Sequence, residues 1–182
     1  MENNNIEKEK VSRNAVFAIF KERSTLESAI DSFKTSGFRN SDISVLMQSP
    51  SDSRDFAHEK NTKAPEGVAA GTTAGILTGG ILGWLVGIGA LSIPGIGPFI
   101  AAGPIVAAIA GAGIGATVGG VAGGIIGMGF PEYEAIRYEK FVKEGGILIS
   151  VHVDDSFWEN KAKKILELWG AKDISTVSEK KI

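Results

Sequence analysis

The sequence predicts an α+β fold, a βαββαβ domain opened in its middle by a long apolar insertion. Three observations predict it. Residues 13–48 and 146–178 share one grammar: an apolar run, a helix with an apolar face at i, i+3, i+4 and i+7, a glycine, then Asp-Ile-Ser. Between them, Gly67 to Pro131 holds sixty-five consecutive residues without a charge. Twenty of the twenty-four glycines lie in that stretch.

Residues 1–12 read as a solvated tail. Ala15 to Phe20 is an unbroken apolar run, the pattern of a buried strand. Ser24 followed by Glu27 predicts a capping box, and Leu26, Ala29, Ile30 and Phe33 fall on one face of the helix behind it. Gly37 is placed to close that helix. Asp42 to Met47 is the second strand, and residues 49–66 are a polar linker. Beyond the insertion, Gly146 to Val153 is a strand. Ser156 and Glu159 predict a second capping box, and Ala162, Ile165, Leu166 and Trp169 repeat the apolar face. Gly170 closes this helix, Asp173 to Val177 is the last strand, and residues 179–182 form a tail. Two βαβ halves in tandem make the ferredoxin-like arrangement.

The insertion, residues 67–130, carries two series of small residues at spacing four. Gly67, Gly71, Gly75, Gly79, Gly83 and Gly87 form the first; Gly111, Gly115, Gly119, Gly123 and Gly127 form the second, extended backwards by Gly103 and Ala107. Spacing four lines one helix face, the small-xxx-small pattern of helices packing in lipid. Two spans are expected, about 67–91 and from Phe99 or Pro104 to Met128, joined by a turn at 92–98. This glycine-zipper hairpin predicts the lipid bilayer and further copies of the chain as partners. All nineteen Lys and Arg residues lie outside the stretch, which puts the folded domain on the cytoplasmic side of an inner membrane. Soluble burial inside an oligomer is the alternative. Residues 131–145 form a short amphipathic helix with Ala135, Tyr138, Phe141 and Val142 on one face. It either lies on lipid with Tyr133 and Tyr138 at headgroup level or packs on the domain.

The passage Met128-Gly129-Phe130-Pro131-Glu132-Tyr133-Glu134-Ala135, then Tyr138-Glu139, then Gly145 to Val151, resembles a family of bacterial proteins related to general-stress and low-temperature-induced proteins. The resemblance covers most of residues 14–178 and implies a bacterial, membrane-associated, stress-linked protein. Its motifs are structural, and it supplies no catalytic residue.

Composition removes several function classes. With no cysteine there is no disulfide framework and no thiol chemistry. A net charge of −2 without a basic tract argues against nucleic acid as a partner. The glycine runs lack the lysine and spacing of a phosphate loop. His152 shares a strand face with Leu148, Ser150 and Asp154, pointing to the sheet face that ferredoxin-like domains use for pairing or ligands. Asp154 and Asp155 read as charge at a helix start. No catalytic, cofactor or metal set emerges. The expected function is a non-enzymatic membrane-associated protein that homo-oligomerises through its zippers, in envelope maintenance or membrane remodelling. A pore and a membrane-anchored small-ligand sensory module are the alternatives.

Overall fold

The computed structural model describes residues 14–48, 85, 89–93, 97–105 and 120–178. In chain order the elements are β1 (Asn14–Phe20), α1 (Arg23–Thr35), a 3-10 turn (Asn40–Asp42), β2 (Ile43–Gln48), β3 (Gly89–Ile93), β4 (Gly97–Ala102), α2 (Gly120–Gly127), α3 (Glu132–Lys143), β5 (Ile147–Val153), α4 (Ser156–Leu168) and β6 (Lys172–Ser178). The fold is α+β. Six strands form one sheet in the order β3-β4-β2-β5-β1-β6, every neighbouring pair antiparallel.

Strand β1 is apolar on both faces and its neighbour β5 on one, with Leu148 on the other, so both faces of the sheet must be covered. Val16, Ala18 and Phe20 of β1 and Ile149, Val151 and Val153 of β5 point into a core closed by Leu26, Ile30 and Phe33 of α1 and Ala162, Ile165 and Leu166 of α4. Ala15, Phe17 and Ile19 of β1 and Leu148 of β5 point the other way. There they meet Val121, Ala122 and Ile125 of α2, Phe130, and Ala135, Tyr138 and Val142 of α3. Phe17 packs edge-on against Phe130, ring centroids 4.3 Å apart, and Phe130 packs edge-on against Tyr138 at 5.7 Å. The helix at 132–143 therefore packs on the domain. Tyr138 is fully buried and donates a hydrogen bond to the Asp173 carbonyl at 2.7 Å, while Tyr133 stays exposed. The sheet face carrying His152 is covered by the chain's own helices, which corrects the expectation of a face open to pairing.

Neither capping box forms. Helix α1 starts one residue before Ser24, with Glu22 at the N-cap and Glu27 held by Arg23 at 2.8 Å. At α4 the cap is Asp155, whose carboxylate accepts from the Trp158 N–H at 2.9 Å. At α4 the ionised Asp155 outcompetes the Ser156 hydroxyl, because it also meets the positive end of the dipole. The predicted glycine closures do form: Gly37 has φ +90° and Gly170 φ +74°.

The helical hairpin of the insertion is corrected in three places. Residues 89–93 and 97–102, expected in a helix end, a turn and a helix start, form antiparallel strands that extend the sheet through β2. Pairing with β2, and of β3 with β4, gives these backbones the hydrogen-bond partners a helix would otherwise supply. Gly103 does not continue a helical stripe: it has φ +80°, and a Cβ there would collide with the Ile43 carbonyl oxygen and lie 2.8 Å from the Ser44 Cα. Its bareness serves the crossing of the chain over β2, where the Ile105 N–H then donates to the buried Ser44 hydroxyl at 3.2 Å. Finally, Leu85, Ile105 and Val121 are all anchored in the domain's two cores. Among the described residues no helix is long and apolar enough to cross a membrane.

Gly103→Ala is expected to destabilise the domain by more than about 2 kcal/mol, through strain and collision together. Gly127 is the contrast: a Cβ there meets nothing within 4 Å. Gly127→Ala is expected to leave stability unchanged or raise it by about 0.5–1 kcal/mol. Chemical denaturation of both variants checks the pair. Equal losses would return Gly127 to a packing stripe.

Candidate functional site

The site is built where α1 ends and α4 begins. Gly37 turns the chain in a left-handed conformation, and the Phe38 N–H donates back to the Phe33 carbonyl at 3.1 Å. This tucks the Phe38 ring edge-on against both Phe33 and Trp158, each at 4.9 Å between centroids. Arg39 follows, leading into the 3-10 turn that ends at Asp42. Its Nε donates to Asp42 Oδ2 at 2.5 Å, and its Nη2 to Asp154 Oδ2 at 3.3 Å. Asp154 lies just past the end of β5, between His152 and the Asp155 cap. Phe38, Arg39, Asp42, His152, Asp154 and Trp158 line a cavity of about 230 Å³, with Gly37 and Val153.

The electrostatics are local. One guanidinium serves two carboxylates from separate segments. The hydrogen bond to Asp42, then the charges of Asp42 and Asp154, hold the Arg39 guanidinium above its usual basicity. Asp42 is the sheltered partner, with 17% of its side chain exposed against 65% for Arg39 and 55% for Asp154. Lys161 lies over the Trp158 ring, its Nζ 4.8 Å from the ring centroid and donating to the Ser36 carbonyl at 2.8 Å. It satisfies a carbonyl that the end of α1 leaves open.

What this arrangement does well is hold. Its polar groups are a fixed cation and two carboxylates beside two aromatic rings, a set suited to binding. Among the described residues no group of three or more His, Asp or Glu side chains is disposed to hold a metal ion.

Of the predicted zipper residues, only Gly103, Gly123 and Gly127 fall among the described residues. Gly67, Gly71, Gly75, Gly79, Gly83, Gly87, Gly111, Gly115 and Gly119 lie outside the described residues. Gly123 is buried in α2 against the second core, Gly103 clears the crossing over β2, and Gly127 faces open space. Asp155 does sit at a helix start as read, and Asp154 joins the groove instead. The sequence reading gives no functional role to Phe38, Arg39, Asp42 or Trp158; Asp42 reads only as a strand start and Trp158 as core. The Arg39–Asp42 spacing of three and the Phe-Arg pair behind a helix-closing glycine were the available signals. No family model, curated protein or solved structure matches the chain.

Helix α4, which carries Trp158, is fastened to the sheet by Glu159. Its carboxylate accepts from Lys163 at 2.7 Å, from Thr176 at 3.0 Å on β6 and from Asn14 at 3.3 Å on β1. The Lys163 hydrogen bond foremost, opposed by burial and helped by Thr176, holds this carboxyl below its ordinary range. A carboxyl depressed on folding stabilises the fold above its unfolded range and loses that contribution as the pH falls through its folded value. Glu159→Gln is expected to lower the Tm by about 2–4 °C at neutral pH. The gap to wild type should close as the pH drops below the carboxylate range. A gap independent of pH would assign the effect to packing.

Proposed function

We propose that this chain is a non-enzymatic binding module, a ferredoxin-like domain that takes a small ligand in the groove between the end of α1 and the start of α4. The observation that carries it is the groove itself, where charged and aromatic side chains from three segments meet around a cavity. Support for the ferredoxin-like reading is the order β2-β5-β1-β6, antiparallel throughout, with α1 and α4 packed on one face. The β3–β4 hairpin and the α2–α3 pair then count as additions to that plan. The groove lies outside both additions, so it belongs to the part of the chain that the two βαβ halves share.

A second reading concerns attachment. Residues 67–84 and 106–119 are charge-free and glycine-rich. We read them as the contact with an inner-membrane surface and with further copies of the chain. Such contact depends on apolar area and weak headgroup attraction. Membranes from cells expressing the protein are expected to retain it at low salt and release it to an alkaline carbonate wash. Retention until detergent is added would mean a spanning hairpin instead of surface contact. A protein found only off the membrane, as a large particle, would leave self-association alone.

A further inference from the structure

The wall of the groove selects a ligand class, an inference that rests on the binding reading above. Arg39 contributes one positive charge and Asp42 and Asp154 two negative ones, so the three sum to −1. An anion approaching Arg39 would have to displace Asp42, the most sheltered of the three and only three residues away in the same turn. A cation meets two carboxylates that share a single guanidinium. Asp155 takes no part, because its carboxylate is engaged by the Trp158 N–H.

The remaining wall is aromatic. Phe38 and Trp158 meet edge-on and present apolar surface to the cavity. Lys161 already rests over the Trp158 ring, so this indole accepts a cation on its face. The cavity, about 230 Å³, is smaller than sites for drug-sized ligands. The geometry points to a site for a small organic cation: a primary ammonium on a short aromatic or apolar body, its charge between Asp42 and Asp154 and its body against Phe38 and Trp158. Arg39 is the resident counter-ion that such a ligand competes with.

The sign of the Arg39 effect tests this. The full chain is titrated at neutral pH and low salt with phenethylamine, and separately with 3-phenylpropionate, its anionic counterpart, by calorimetry. Saturable binding of phenethylamine is expected. Arg39→Ala should tighten it roughly fivefold, and Asp154→Asn should weaken it by a similar factor, the scale of one exposed ion pair. Both positions are exposed, and thermal melts establish that each variant folds. Binding of 3-phenylpropionate that Arg39→Ala abolishes would overturn the cation assignment and leave the groove as a binding site for anions. If neither molecule binds wild type or Arg39→Ala at millimolar concentration, the cation assignment and the groove's binding role both fall.

Discussion

The structure depends on one constraint, that β1 is apolar on both faces. A strand with Val16, Ala18 and Phe20 on one side and Ala15, Phe17 and Ile19 on the other cannot border water on either. Helices α1 and α4 cover one face, and they come from the two βαβ halves. The other face is covered by segments those halves do not contain: Ala101, Ile105, Val121, Ala122, Ile125 and Phe130 from the charge-free stretch, then α3. Each side chain so buried removes apolar area worth about 25 cal/mol per Å² from water. Among the described residues, the stretch is uncharged where it lies between layers of one domain.

That explains how far a reading of the sequence reached. The strands and helices of both βαβ halves were legible because their signals are local: an apolar run, a face at i, i+3, i+4 and i+7, a closing glycine. The Ala15–Phe20 run also announced a doubly covered strand, since a strand with one wet face alternates. The cover itself was misassigned. Absence of charge looks the same in lipid and in a protein interior, and glycines at spacing four look the same in a helix stripe and at unrelated close approaches. Gly103 and Gly123 belong to one series by count, yet one sits at φ +80° against β2 and the other inside a buried helix. Counting cannot separate them, because what each lacks a side chain for is decided by a neighbour distant in sequence.

The groove was illegible for the same reason. Arg39 and Asp154 are 115 residues apart, and nothing local in either segment points to the other. Their meeting follows from sheet order: β2 pairs with β5 with Ile43 opposite Val151, which sets the turn before β2 beside the exit from β5. The capping aspartate completes the arrangement. By taking the helix start, Asp155 leaves Asp154 to turn toward Arg39, so two adjacent carboxylates have separate partners.

The two helix layers also divide the labour between stability and recognition. The second layer is stitched by buried or sheltered contacts. Tyr138 reaches the Asp173 carbonyl, and Glu139 accepts from the Ala122 N–H at 2.7 Å. Burial, foremost, pushes the Tyr138 hydroxyl up to about 12, so the neutral phenol persists as a donor across the physiological range. A fixed donor of that kind suits a permanent seam. The groove has the opposite character: its pairs are exposed, screened by salt and weak one by one. Such pairs add little to folding and exchange partners at small cost, which is what a site for a charged ligand requires. Permanent polar contacts close the layer the insertion supplies, and exchangeable ones sit at the edge that the two βαβ halves share.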